Sequence, residues 1–255
     1  MGTGAITQYI DTAQVTLYVF WVFFFGLIYY LRKEDKREGY PMITGDADGT
    51  AIGFPPLPAP KTFLLRDGTS VQAPREGRPE VDYKATAAGY LTGAPSDPIG
   101  NPLLSASGPA GYSLRADKPE LTWHNDQNRL APLRVATDHS FDENSPNPIG
   151  FEAVGFDGIV GGSVKDVWVD REESVIRYYE VTVAGGKSVF VPVALVRVNE
   201  SANQILLASV TGKQIGEAPT IASPDQITWR EEDQTQAYFA SGQLFAIPSR
   251  RESLI

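Results

Sequence analysis

The sequence contains no cysteine and only two histidines, His124 and His139. The first absence excludes disulfides, iron–sulfur clusters, a c-type haem attachment and a thiolate nucleophile. The second excludes a metal centre built from several imidazoles. Basic residues are missing from the N-terminal end, since none of the 22 Lys and Arg residues precedes Arg32. A cleaved export signal needs a basic leader, an apolar run of only about 7–15 residues and a small-residue cleavage site. None of these is present, so the apolar run near the N-terminus is expected to remain as an anchor.

That run is residues 12–31, twenty consecutive uncharged positions. At about 1.5 Å per residue it crosses a hydrocarbon core of about 30 Å. It holds no Asp, Glu, Lys, Arg or His, and so nothing to ligate a metal or relay a proton. Tyr18, Phe20, Trp21, Phe23, Phe24, Phe25, Tyr29 and Tyr30 suit it to packing and interfacial anchoring. Arg32, Lys33, Lys36 and Arg37 come immediately after it, and the positive-inside rule then puts residues 1–11 outside the cytoplasm and the C-terminal bulk inside it. Residues 32–255 carry 22 basic and 30 acidic side chains, a net of −8. Such a balance argues against a nucleic-acid partner, because phosphate binding requires clustered positive charge.

Proline divides the remainder. Fifteen of the 19 prolines lie within residues 41–148. Each fixes φ and removes a backbone donor, so this stretch is expected to be extended and turn-rich, without long helices. A short hairpin is expected over 61–65 and 69–73 around Asp67-Gly68. Its dispersed apolar residues, among them Phe54, Leu57, Phe63, Leu64, Tyr83, Leu103 and Trp123, need a surface to bury against, which points to order against another protein. Asp46-Ala47-Asp48-Gly49 has too short a spacing for a calcium loop and reads as an acidic turn. Beyond residue 149 come β-branched and aromatic runs at 164–169, 175–183, 188–198 and 205–210, separated by turn-forming segments. They predict a small, bent antiparallel barrel. Residues 230–240 predict a short helix with acids in its first turn, stopped by Gly242. No Gly-x-Gly-x-x-Gly turn or helical crossover suggests a Rossmann unit.

Signals for chemistry are sparse. Neither histidine lies in a nucleophile elbow, which disfavours a hydrolase. His124 and Asp126 share a face if their segment is extended, and together they suit a surface proton or cation site. Asp170, Arg171, Glu172, Glu173 and Arg177 gather about one predicted barrel turn.

Several segments together resemble the H subunit of the purple-bacterial photosynthetic reaction centre. They are residues 29–41 after the span, 53–63, 132–136, 166–170, Glu231-Glu232-Asp233 and Ala237-Tyr238, and in order and spacing they cover nearly the whole chain. Residues from about 150 to 210 also resemble the PRC-barrel module. The resemblance implies a single transmembrane α-helix (12–31), a proline-rich extended segment (32–148) packed on partner subunits, and a mainly β cytoplasmic domain (149–255) built on a PRC-type β-barrel with a short C-terminal helix. It implies a non-enzymatic subunit of the bacterial inner, intracytoplasmic membrane that binds no pigment itself. Such a chain caps the L and M subunits under the two quinones, while bacteriochlorophyll, bacteriopheophytin, quinones, non-haem iron and carotenoid reside in those partners. Membrane lipids would surround it, and a cytochrome subunit and light-harvesting proteins stay open as further partners. Carried over by position, Glu173 is the carboxylate nearest the secondary quinone, with Asp170 and Arg177 in its cluster. Glu120 and His124 fall near the point where protons enter. Thr122 and Asp126 replace a carboxylate and a second histidine of the family, which leaves proton uptake to His124 and Asp126 and puts a two-histidine surface metal site in doubt. The alternative is a membrane-anchored PRC-barrel adaptor without a photochemical role.

Overall fold

The computed structural model describes residues 4–7, 9–40, 53–74, 81–87, 89 and 96–251. The acidic turn expected at 46–49 lies outside them. The chain divides into two compact units, residues 1–78 with 90–93, and residues 79–89 with 94–255.

In the first unit α1 spans Thr12–Glu38 and is long and apolar enough to cross a membrane. The Asp11 side chain caps its N-terminus by accepting the Gln14 N–H at 2.7 Å. Gly39, at φ 96°, ends it in the left-handed conformation that glycine adopts without strain. The helix thus continues past the expected boundary at residue 31. Residues 32–38 leave the apolar run but are good helix formers, and Arg37–Glu34 at 2.8 Å and Arg32–Asp35 at 3.5 Å are i,i+3 ion pairs along it. β1 (Lys61–Leu64) and β2 (Ser70–Ala73) form the expected hairpin, with Lys61 opposite Ala73 and Leu64 opposite Ser70. The last helical turn anchors the segment C-terminal to the helix. Lys36 Nζ donates to the Gly53 carbonyl, and the buried Arg37 guanidinium donates to the carbonyls of Ala59 and Ala73. Lys61 closes the arrangement by pairing with Glu34 at 2.9 Å.

The second unit carries β3 (Ala85–Ala87) and β4 (Ser96–Pro98) as a small antiparallel pair. Its main sheet comprises β5 (Leu130–Pro132), β6 (Glu152–Val154), β7 (Val160–Asp170), β8 (Val175–Val183), β9 (Ser188–Pro192), β10 (Val196–Asn199) and β11 (Gln204–Leu207). The order is β10-β11-β6-β7-β8-β9, with β5 laid against β7. Two expectations change here. The run 188–198 is two strands, because Pro192 offers no N–H to continue the ladder and residues Val193–Leu195 form a 3-10 turn. The sheet is also not wholly antiparallel, since β11 pairs parallel with β6. The β10–β11 hairpin sets the direction of β11, and the stretch from β7 to β10 serves as the long crossover that a parallel pair requires.

α2 (Gly212–Ile215) and α3 (Trp229–Phe245) complete the unit. α3 begins with a capping box in which Thr228 and Glu231 satisfy each other's backbone donors. It passes through Gly242, the expected stop. A Cβ there would stand 2.5 Å from the Ser209 carbonyl, so this glycine permits close approach of helix to loop and does not end the helix. One core cluster gathers Val164, Val167, Val181, Val189, Val191, Ile205, Leu207, Tyr238 and Phe239. A second collects Leu130, Trp168, Tyr178, Phe190 and Ile227, with Trp168 and Phe190 edge to face at 5.0 Å.

Candidate functional site

The β7–β8 turn is built around Asp170. Its Oδ1 accepts the backbone N–H groups of Glu172 at 3.0 Å and Glu173 at 3.1 Å, the local geometry that favours aspartate at the head of a turn. Ser174 N–H closes the loop on the Asp170 carbonyl at 2.8 Å, with Ser174 itself at φ 54°. Asp170 is 1 % exposed, yet a charge is tolerated because Arg129 binds both carboxylate oxygens through Nε at 3.0 and 2.9 Å.

Arg129 is the hub. β5 runs beside the end of β7, with Leu130 opposite Asp170, and so delivers the preceding residue to the turn. The same guanidinium reaches Glu173 Oε1 at 2.8 Å and Glu120 Oε1 at 3.1 Å, with Glu172 Oε2 at 3.8 Å from its Nε. Four carboxylates therefore surround one cation. Burial pushes the Asp170 carboxyl up, but the Arg129 hydrogen bonds and the Glu173 and Glu172 N–H groups outweigh it and leave the group below the usual range. Asp170 is thereby held ionised. Glu173 has a half-exposed side chain whose one described bond is that from Arg129.

Residues 120–129 form a narrow loop beside this cluster. Arg129 N–H bonds to the Glu120 carbonyl, Leu121 bridges to Asn128, and Thr122 N–H bonds to the Gln127 carbonyl at 2.7 Å. His124 and Asp126 lie at its tip. Residues 123–125 turn there and Asp126 sits at φ 51°, so the extended geometry under which the two would share a face is not adopted. His124 instead borders an open cleft of about 510 Å³ with Asn125, Gln127, Asp138, Arg171 and Glu172. Glu172 links cleft and cluster, since its Oε1 accepts the Trp123 N–H. No group of three or more His, Asp or Glu side chains disposed to hold a metal occurs among the described residues.

The expected residues thus fall into three places. Glu120, Asp170 and Glu173 converge on Arg129, and His124 and Asp126 occupy the adjoining loop. Arg177 makes no ion pair with Asp170 or Glu173 among the described residues. It borders a separate cleft with Tyr178 and Gln236, and its charge acts on Tyr178 and Glu232. Two further groups belong to these networks and carry little signal in the sequence. Arg129 is one basic residue beside a short apolar run, and only its nine-residue separation from Glu120 across a polar loop hints at pairing. Glu232 is buried on α3, where Tyr178 donates to its Oε2 at 3.0 Å, and burial raises its carboxyl above the ordinary value. Another network holds Asp166 and Glu180 to Arg134 at 2.8 and 2.7 Å, with Lys165 on Glu180 at 2.7 Å. It staples β7 and β8 to the segment at Asp225, which Arg134 meets at 3.0 Å.

Compared with known families, the sequence matches the photosynthetic reaction centre H-chain, N-terminal region, over residues 4–135. It matches the PRC-barrel domain over residues 142–214.

Proposed function

The chain belongs to the photosynthetic reaction centre H-chain family, and from that premise we propose that it caps the L and M subunits on the cytoplasmic side, steadies their quinone sites and conducts protons towards the secondary quinone. The observation that carries the proton role is the Arg129 hub. A relay across a dry protein layer needs ionisable groups close enough to exchange protons and a charge balance that keeps them in place. Asp170, ionised and fully bonded, fixes the guanidinium. Glu120 and Glu173, each tied to Arg129 through one oxygen, are the members that stand between Asp170 and the surface in this relay. Glu172 joins the hub to the loop of His124 and Asp126, the side from which protons arrive in this reading. Arg177 acts at one remove, through Tyr178 and Glu232. The chain supplies no redox group in this scheme, and the pigments, quinones, iron and carotenoid belong to its partners. The proline-rich stretch 32–148 supplies much of the contact with them.

Glu173→Gln preserves shape and the Arg129 contact but removes the titratable site. In the assembled complex, flash-induced second-electron transfer to the secondary quinone is expected to slow several-fold while the first transfer changes little. Arg197→Gln, an exposed charge change on β10, serves as the control. Unaltered second-electron kinetics from pH 6 to 9 in a pigmented, intact Glu173→Gln complex would exclude the residue from the pathway.

A further inference from the structure

The cleft at the 120–129 loop presents a hydrogen-bonding inventory that the proton-relay reading does not use. Asn125 Oδ1 accepts from Thr122 Oγ1, which leaves the Asn125 amide hydrogens over. Gln127 Oε1 accepts from Arg171 Nη1 at 3.1 Å, which leaves the Gln127 amide hydrogens over as well. Arg171 Nε is buried without a hydrogen-bond partner, although a desolvated charged donor is costly to leave unmet. His124 makes no hydrogen bond among the described residues. On the acceptor side, Glu172 commits Oε1 to the Trp123 N–H and keeps Oε2 3.8 Å from Arg129. Asp138 lines the cleft as well, with its Oδ1 3.2 Å from His139 Nδ1.

Arg171 Nη1 is shared between Gln127 Oε1 and the Asn128 carbonyl, and no described residue meets Nη2; the walls therefore offer that guanidinium edge, two amides and an imidazole as donors, against two carboxylates as acceptors. A bare metal cation meets too many donors here. An aprotic oxyanion meets two like-charged carboxylates, each of which repels it. The ligand that satisfies both halves accepts from Arg171, Asn125 and Gln127 while donating its own O–H to Glu172 or Asp138. We propose that this cleft binds a hydrogen-bearing oxyanion of the phosphate class, dihydrogen phosphate being the simplest member. Its oxygens are tetrahedrally spread, so one face meets the donors and a protonated oxygen meets a carboxylate. Charge-assisted bonds of this sort are the stronger kind, and the cleft is open enough for exchange with solvent.

The two histidines make the test direct, because ¹⁵N-histidine labelling of the full chain in detergent yields only two imidazole sets. Inorganic phosphate is titrated at pH 6.5 and constant ionic strength, with sodium sulfate and sodium chloride as parallel arms. The expected result is a saturable shift of His124 with phosphate, at least tenfold weaker with sulfate and absent with chloride. Arg171→Gln is expected to weaken the phosphate response about tenfold, the effect of losing one charge-assisted bond. Glu172→Gln is expected to narrow the preference over sulfate by removing the repulsive acceptor. An unchanged circular dichroism spectrum and melting temperature certify the fold of each variant. If Arg171→Gln fails that check, Asn125→Ala at the loop tip takes its place, read by ³¹P line broadening. Equal responses to phosphate and sulfate, a shift that never saturates, or a phosphate response unaffected in folded variants would overturn the proposal.

Discussion

Glu232 is a carboxyl that folding largely removes from water, leaving it 7 % exposed. Burial raises its pKa, Tyr178 lowers it by donating a hydrogen bond, the charge of Glu120 raises it, and Arg177 and Arg115 oppose that rise; the net direction is up. A carboxyl raised on folding contributes nothing below its unfolded pKa, where both states are protonated. It costs stability progressively as pH climbs through the interval between the unfolded and folded values, and the cost persists above. Glu232→Gln, which still accepts from Tyr178, is therefore expected to raise Tm at pH 8 and leave it unchanged at pH 4. A rise of roughly 2–4 °C corresponds to about 1 kcal/mol in a protein of this size. Thermal melts of the full chain at the two pH values check it, and a Tm lowered at pH 8 would show that the carboxylate is stabilising. Asp170 and Glu180 run the other way. Burial raises both, but their bonds from Arg129 and from Lys165 and Arg134 lower them further. Their contribution is present above the unfolded pKa and is lost only as pH falls through the depressed folded values, so these two networks support the fold down into the acid range.

At the scale of elements, α3 shows how a local signal can mislead. Gly242 in a sequence otherwise rich in helix formers looks like a terminator, yet its missing side chain allows the helix to touch the Ser209 carbonyl. Alanine is the better helix former by about 1 kcal/mol, but a Cβ 2.5 Å from a backbone oxygen and 2.6 Å from Val210 Cγ1 forces the helix outward. Overpacking of this kind costs about 1–3 kcal/mol or more. Gly242→Ala is thus expected to destabilise on balance, and a denaturant midpoint equal to or above that of the parent chain would contradict it. Thr228→Ala removes half of the capping box and is expected to cost about 1 kcal/mol. The strands fared differently. The 175–183 run matches β8, and the hairpin at Asp67-Gly68 matches β1 and β2, because alternation and turn chemistry act over a few residues. The break at Pro192 has a local cause as well, the missing N–H, which the long apolar run around it masks.

For the whole molecule the decisive quantities are the one helix among the described residues that is long and apolar enough to cross a membrane, and an acidic remainder behind a basic collar. Arg32, Lys33, Lys36 and Arg37 flank the span on its C-terminal side, and protease added to intact cells is expected to leave residues 41–255 undigested. Cleavage of that region from outside would reverse the orientation. Large apolar side chains also remain exposed when the chain stands by itself, with Phe54 at 82 % and Leu64 at 84 %. Surfaces of this sort mark association sites, and a partner that binds only the folded state adds stability by mass action. Hydrogen exchange in residues 53–148 is therefore expected to be slower in the complex with L and M than in the full chain alone in detergent. Equal protection in both would favour an independent adaptor.

The amino-acid sequence by itself determined the membrane span, the proline-rich stretch, the short hairpins and the strand-rich C-terminal half, because each arises from propensities and periodicities that neighbouring residues settle among themselves. It also placed Asp170, Glu172 and Glu173 on one turn, since they are adjacent in the chain. That Arg129 should gather them together with Glu120 was decided only by the pairing of β5 with β7, a contact between segments some forty residues apart. The parallel β6–β11 pair, the burial of Glu232 against Tyr178 and the separation of Arg177 from the hub have the same origin. A charged residue in a sequence carries no mark of whether its neighbour in space will be water or an opposite charge. That neighbour is chosen when distant strands register, and the cost of burying an ion unpaired is the reason the choice is so restricted.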